Sequence, residues 1–189
     1  MYLFFDTETT GLPKSWNAPV TNLNNWPRLV QLACLWQDQN GNILAKGDWI
    51  IKPEGFSIPA NSTAVHRISN EKALQAGHPL LEVLQEFAHQ VSQANCLVAH
   101  NLNFDEKVLG AEFLRHNLPN CLLSKDKICT MQKATNFCQI PGAYGYKWPK
   151  LSELHYKLFG SDFAEAHNAA VDIQATARCF WELKKRGLV

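Results

Sequence analysis

The sequence has almost no excess of charge of either sign and no long hydrophobic run. Its 189 residues contain 18 Lys and Arg against 17 Asp and Glu, so the formal net charge is +1. A near-neutral chain exerts no general attraction on polyanions, so any nucleic-acid partner has to be held by local contacts. The longest uncharged apolar stretches, such as 2–5 and 29–36, are far shorter than the roughly 20 residues that span a bilayer. We therefore expect no membrane helix.

The sequence also lacks the C-x-x-C pairs of zinc and redox sites. Its six cysteines are scattered, mostly in apolar runs where a reduced thiol serves as a small hydrophobic side chain. No basic segment precedes the first apolar residues and no small-residue cleavage site follows them, so the chain does not resemble a secreted protein. There are no internal repeats and no low-complexity tract. We expect a reduced, cytoplasmic protein whose residues 1–189 form a single domain.

Hydrophobic periodicity predicts a sheet followed by helices. Residues 2–5 are apolar in both alternation phases, as in a strand covered on both faces, and 29–37 and 43–52 predict two further strands joined by a hairpin at Asn40-Gly41. Short strands are expected at 96–100 and 127–129. Helical spacing predicts helices around 64–68, 69–74, 80–91, 103–113, 130–137, 151–159 and 169–186, the fourth opened by an Asn103 to Glu106 capping box. The fold class predicted is α/β, with an antiparallel meander, parallel strands and helices on both faces of the sheet.

Two carboxylates follow the first strand. Asp6 and Glu8 are two residues apart, so in extended geometry both side chains leave the same face of the sheet. Like charges placed together need a cation. An isolated D-x-E is more often a solvated turn, but the carboxyl edge of a buried strand is where open sheets place their ligands.

Two more carboxylates and a histidine have unusual positions. Asp105 stands near the start of a helix, where an acidic residue is stabilised regardless of function. Asp172 lies on the apolar face of the last helix, so it requires a metal ion or a Lys or Arg partner, and His167 precedes that helix. Four oxygen ligands without cysteine favour Mg²⁺ or Mn²⁺ over Zn²⁺. Two such ions about 4 Å apart can clamp the attacking and leaving oxygens of a phosphodiester, with a histidine activating the water.

Three ordered motifs carry a family resemblance. The segments FFDTETTGL at 4–12, HNLNFD at 100–105 and HNAAVD at 167–172 resemble the motifs of the DnaQ-like DEDDh exonucleases. That family includes proofreading subunits of bacterial replicative polymerases, RNase T and oligoribonuclease. The resemblance spans nearly the whole chain and implies an RNase H-like fold with five strands.

The resemblance also implies roles for particular residues. Asp6, Glu8 and Asp172 would bind two divalent cations, Mg²⁺ or Mn²⁺, directly, and Asp105 would help to hold the second ion, partly through water. His167 would be the general base. The activity implied is removal of nucleoside 5′-monophosphates from the 3′ end of a single strand. Substrate contacts are implied for seven residues, Thr7, Thr9, Leu12, His66, His100, Asn101 and Phe104, of which Phe104 could instead be a core residue.

Several alternatives stay open at this stage. We favour single-stranded or frayed DNA 3′ ends as the partner, but RNA 3′ ends or very short oligoribonucleotides would fit the same motifs. A catalytically silent binding module and an unrelated metal-binding structural protein are the other hypotheses. Unlike the proofreading subunits, the protein is expected to have no polymerase-binding tail after Arg186, and its oligomeric state is open. Trp16 and Trp26, in a long loop after the first motif, could stack on nucleotides, although we favour a role in pinning the loop.

Overall fold

Five strands form one mixed sheet. The computed structural model of the chain describes residues 1–163 and 168–189. The strands are β1 (Tyr2–Thr9), β2 (Leu29–Gln37), β3 (Ile43–Ile50), β4 (Cys96–Ala99) and β5 (Asp126–Cys129), and their order across the sheet is β3-β2-β1-β4-β5. β1 to β3 form the antiparallel meander, while β4 is parallel to both β1 and β5. The predicted α/β class and mixed sheet are confirmed.

Helices cover both faces of this sheet. They are α1 (Ala60–His66), α2 (Asn70–Ala76), α3 (Leu80–Gln93), α4 (Leu102–Arg115), α5 (Thr130–Cys138), α6 (Leu151–Phe159) and α7 (Ala169–Lys185). α3 and α4 pack on one face and α7 on the other. A small hairpin of two-residue strands, β6 (Pro141–Gly142) and β7 (Gly145–Tyr146), precedes α6. Among the described helices, none has the length and apolar character needed to cross a bilayer.

The alternation of side chains along β1 decides where the candidate site lies. Leu3 and Phe5 pack into the core between the sheet and helices α3 and α4, whereas Phe4 packs against α7. Since successive side chains of a strand point to opposite faces, Asp6 and Glu8 continue the α7 side of the sheet. The hydrophobic pattern of the strand thus directs both carboxylates towards one helix.

Helix α4 begins differently from the sequence prediction. It starts at Leu102, with Asn101 as its N-cap in the left-handed region (φ 67°) and without a side-chain capping bond, so the predicted Asn103 to Glu106 capping box is wrong. Asparagine tolerates this conformation better than most residues, which allows a sharp turn between β4 and α4. Glu106 is also engaged elsewhere, because its carboxylate pairs with Lys127 at 2.8 Å.

A buried carboxylate connects α4 to the loop of residues 10–28. Glu112 is fully buried, and its Oε1 accepts hydrogen bonds from Arg28 Nε and the backbone N–H of Leu29, both at 2.9 Å. The same oxygen lies 3.0 Å from the guanidinium of Arg115, which also donates to two backbone carbonyls of the loop at 2.6 and 2.7 Å. Glu112 therefore holds one side of the loop against the helix.

Removing this carboxylate should destabilise the fold strongly. Because Glu112→Ala leaves two partly buried guanidinium groups without their counter-ion, we expect a loss of about 3 kcal/mol in the free energy of unfolding. The matched control is Glu182→Ala, which breaks the partly exposed pair with Arg186 on α7 and should cost less than about 1 kcal/mol. Urea denaturation measures both variants, and equal losses would contradict the role given to Glu112.

Candidate active site

Three carboxylates converge where β1 ends and α7 begins. Asp6 and Glu8 are contributed by β1, and Asp172 by the first turn of α7. One ligand oxygen from each residue lies within 4.8 Å of the others. Residues far apart in sequence thus form one acidic group, and the apolar face of α7 predicted around Asp172 is buried, as at Thr176 and Phe180.

Burial and mutual repulsion make the charged state of this group unfavourable. Burial, followed by repulsion from the three neighbouring carboxylates, raises the pKa of Asp6 well above its ordinary range. Burial, followed by repulsion from Asp172 and then Asp105, raises the pKa of Glu8 to about 8. A divalent cation bound among these oxygens would relieve both penalties.

Asp105 lies next to this group, and Thr7 holds its carboxylate in place. Its Oδ1 accepts hydrogen bonds from the Thr7 hydroxyl at 2.7 Å and from the Thr7 backbone N–H at 3.1 Å. Burial raises the pKa of Asp105 to about 7, although these hydrogen bonds oppose the shift. Thr7, expected at the substrate, is itself buried on the opposite face of β1 from Asp6. We therefore interpret Thr7 as a positioning residue for Asp105.

A cavity of about 680 Å³ adjoins the acidic group. Asp6 and Asp172 form part of its lining, together with four of the residues predicted to contact substrate, Leu12, His100, Asn101 and Phe104. Leu12 is 73% exposed, as is required of a side chain that is to meet a ligand. The structure therefore brings these four residues together beside the carboxylates.

Trp16 extends the apolar wall of this cavity. It is 46% exposed, and its ring centroid lies 5.7 Å from that of Phe104. Trp26, in contrast, is 3% exposed and donates from Nε1 to the Pro19 carbonyl at 3.1 Å. The predicted pinning role fits Trp26, whereas Trp16 faces the cavity. Sequence alone could not separate the two because both stand in the same polar loop.

His100 is engaged within the protein through both ring nitrogens. Nδ1 lies 3.0 Å from the Thr130 hydroxyl, and Nε2 lies 3.0 Å from the Pro149 carbonyl. Burial lowers the pKa of His100 to about 4, so the ring is neutral at physiological pH. A neutral ring must then donate from Nε2 to the carbonyl, which fixes the segment that carries Lys150 into the cavity lining.

Two other predicted residues lie outside the lining of this cavity. The Thr9 hydroxyl donates to the Gly11 carbonyl at 2.7 Å and so shapes the turn after β1. His66 is buried, accepts a hydrogen bond at Nδ1 from the Ile68 backbone N–H, and lines a second cavity. Burial lowers the pKa of His66, so its ring is also neutral. Both side chains therefore stabilise backbone near the site, Thr9 the turn after β1 and His66 the segment after α1.

The predicted general base, His167, lies outside the described residues. The next residue, Asn168, caps α7: its side-chain oxygen accepts a hydrogen bond from the Ala170 backbone N–H at 3.0 Å. This cap lies four residues before Asp172 and fixes the start of the helix at Ala169.

Comparisons with known proteins identify the family of the chain. An exonuclease family model, RNase_T, matches residues 3–180. The PolC-type DNA polymerase III of Streptococcus pneumoniae is 34% identical to the chain over 177 residues, and that of Streptococcus thermophilus is 33% identical over the same length. Each match covers 94% of the chain but 11% of the polymerase.

Solved structures have the same fold. E. coli exonuclease I in complex with a dT13 oligonucleotide matches 98% of the chain with a TM-score of 0.78 and 19% sequence identity. A moderately thermophilic exonuclease I from Methylocaldum szegediense matches 98% with a TM-score of 0.74 and 17% identity. The chain spans 41% and 40% of these two proteins.

The family match covers most of the chain and includes β1, the start of α4 and the start of α7, which carry the acidic residues. The similarity to the polymerases extends over nearly the same residues. The chain belongs to the DnaQ-like exonuclease family and has its RNase H-like fold.

Proposed function

We propose that the chain is a metal-dependent 3′-to-5′ exonuclease that removes nucleoside 5′-monophosphates from single-stranded or frayed DNA. The observation that carries this proposal is the meeting of Asp6, Glu8 and Asp172 within 4.8 Å at the edge of an open cavity with aromatic walls. Acidic oxygens suit divalent cations, and the cavity walls suit nucleobases. The two features lie side by side, as cleavage next to a terminal nucleotide requires.

The acidic group fits divalent cations by its chemistry. All three side chains are hard oxygen donors, and the raised pKa values of Asp6 and Glu8 reflect charge that a cation would compensate. Asp6, Glu8 and Asp172 would hold Mg²⁺ or Mn²⁺, and Asp105 would support a second ion. Bound cations would lower the pKa of a coordinated water and stabilise the charge that develops on the phosphodiester oxygens.

The other residues of the chain orient the substrate and move protons. Thr7 fixes the Asp105 carboxylate, so that this oxygen set does not have to reorganise during turnover. Leu12, Trp16 and Phe104 would contact the bases at the 3′ end by stacking and apolar packing. His167 would accept the proton of the attacking water, a role that suits the ordinary pKa of imidazole.

DNA is the substrate that we propose over RNA. The polymerases that resemble the chain are DNA polymerases, and the exonuclease I structure contains a DNA oligonucleotide. The stacking walls accept any base, in agreement with a sequence-independent exonuclease. Parallel digestion of end-labelled DNA and RNA oligonucleotides of identical sequence tests the preference, and faster cleavage of RNA would reverse it.

Neutralising one carboxylate should abolish turnover and leave the fold intact. Asp6→Asn and Asp172→Asn remove charged metal ligands, and the loss of several kcal/mol of transition-state stabilisation corresponds to about a thousandfold in rate. The control is Glu82→Gln, at an exposed position in the first turn of α3, which should digest a labelled single strand like the wild type. Normal cleavage by folded Asp6→Asn protein would contradict the proposal.

Stability without metal should fall as the pH rises. The folded protein keeps the Glu8 proton up to about pH 8, whereas the unfolded chain releases it near 4.5. The folded state therefore binds more protons than the unfolded chain across this interval. The stability that the bound Glu8 proton contributes is lost as the pH rises from about 4.5 to about 8. In EDTA, we expect the Tm of the wild type to fall from pH 5 to pH 8, and the Tm of Glu8→Gln to fall less.

Divalent cations should reverse this pH effect. Because the metal ligands must be deprotonated, Mg²⁺ or Mn²⁺ should raise Tm more at pH 8 than at pH 5. Glu82→Gln should retain both the pH dependence and the response to metal. A Tm that rises with pH in EDTA would show that the acidic group is balanced by some other charge.

Trp16 should contribute to substrate affinity. Trp16→Ala removes one stacking wall, and we expect KM for a single-stranded oligonucleotide to rise about tenfold with kcat little changed, because base stacking is worth about 1 to 3 kcal/mol. Tyr156→Ala on α6 is the control, since Tyr156 is similarly exposed but lies outside the cavity lining. Equal KM values for the wild type and Trp16→Ala would exclude the stacking role.

A further inference from the structure

A second cavity lies on the other side of the acidic group. It has a volume of about 380 Å³, and Gln31 and Asn168 belong to its lining. Gln31 of β2 stands directly opposite Glu8 of β1, so it occupies the same face of the sheet one strand, about 4.8 Å, away. Asn168 caps the helix that carries Asp172. The carboxylates therefore separate an aromatic cavity from this second one.

The second cavity differs from the first in its charge. Arg67, Lys72 and His78 line it, and all three are exposed. Within residues 1–163 and 168–189, none of the three side chains makes an ion pair or a hydrogen bond. Asp48 is also in the lining, but its Oδ1 accepts a hydrogen bond from the Gln31 amide at 2.6 Å. Arg67 and Lys72 therefore give the lining two cationic side chains that form no ion pair within the described residues.

The backbone at Arg67 is unusual for its residue type. Arg67 is the C-cap of α1 and adopts a left-handed conformation (φ 60°), which costs about 1 kcal/mol or more for a residue with an ordinary side chain. Glycine and asparagine adopt it more easily and are common at such helix ends. An arginine here spends stability on a position where a smaller residue would suit the fold better. Arg67 belongs to the lining of the second cavity.

We propose that this second cavity, formed around Arg67, Lys72 and His78, binds a backbone phosphate of the nucleic-acid strand on the 5′ side of the cleaved bond. The inference rests on the proposed exonuclease function. Bases at the 3′ end occupy the aromatic cavity, the cleaved phosphodiester lies at the carboxylates, and the next phosphate reaches the cationic cavity. Arginine and lysine are the side chains that bind phosphate oxygens most strongly, and a site that contacts only the backbone accepts any sequence.

The test uses Arg67→Asn and substrates of defined length. Asparagine tolerates the left-handed backbone, so Tm should equal or exceed that of the wild type. A thymidine dinucleotide with a 5′-hydroxyl contains only the cleaved phosphodiester, whereas the trinucleotide adds one phosphate on its 5′ side. We expect kcat/KM to be unchanged for the dinucleotide and to fall about tenfold for the trinucleotide and the decamer, since a hydrogen bond to a charged group is worth about 1.5 kcal/mol.

A modified substrate identifies the contact itself. A second trinucleotide carries a neutral methylphosphonate in place of its 5′-side phosphate. With this substrate, kcat/KM of the wild type should fall by about the same factor as the Arg67→Asn substitution causes with the normal trinucleotide. In Arg67→Asn, the methylphosphonate should lower kcat/KM little further. The dependence of log kcat/KM on log salt concentration for the decamer should also flatten by about one in Arg67→Asn. Lys185→Ala removes an equal charge from the last turn of α7, about 20 Å from Asp172, and should change none of these values.

The outcomes separate this inference from the proposed function. Equal rates for Arg67→Asn and the wild type on the decamer, or an equal loss on the dinucleotide, would overturn the phosphate site while leaving the exonuclease intact. If the wild type cleaves none of the substrates, the proposed function fails. Binding then decides the inference: anisotropy of a fluorescent decamer on the Asp6→Asn protein should still weaken about tenfold when Arg67→Asn is added. Unchanged binding would refute the cationic site.

Discussion

Repulsion between partly buried carboxylates is the constraint on which the rest of this structure depends. Asp6, Glu8 and Asp172 are brought within 4.8 Å by a strand and a helix that are distant in sequence, and burial raises the pKa values of the two residues on β1. Folding alone does not favour such a group. The apolar residues of β1 and α7 have to supply the packing that holds it together, and Thr7 has to hold Asp105 beside it from the opposite face of the sheet. Packing in the core therefore holds these carboxylates together despite their mutual repulsion, which is typical of sites that bind cations.

Much of this arrangement could be predicted from periodicity, because buried strands and amphipathic helices leave a direct trace in the order of apolar residues. The bounds of β2 and α6 agree with the sequence prediction, and so does the buried face of α7 around Asp172. The start of α4 could not be predicted in the same way, since it depends on a left-handed turn at Asn101 and on an ion pair of Glu106 with a distant residue.

The separate roles of the site residues could not be predicted from the sequence either. The motif around Asp6 makes Thr7 look like a substrate contact, and only the direction of its side chain in the strand assigns it to Asp105. His100 belongs to a motif as well, but both of its ring nitrogens are used within the protein. The difference between Trp16 and Trp26 follows from where a loop without regular periodicity folds, and no local pattern encodes that path.

The loop of residues 10–28 has a further consequence for recognition. It is held by the Glu112 and Arg115 contacts to α4 and by the buried ring of Trp26, so the wall that contains Trp16 is in place before any ligand arrives. A partner that enters a preformed wall does not have to offset the conformational entropy of ordering a segment of this length. Association should then require little conformational change. Its rate should be limited by encounter and orientation instead of by a slow rearrangement of the polypeptide.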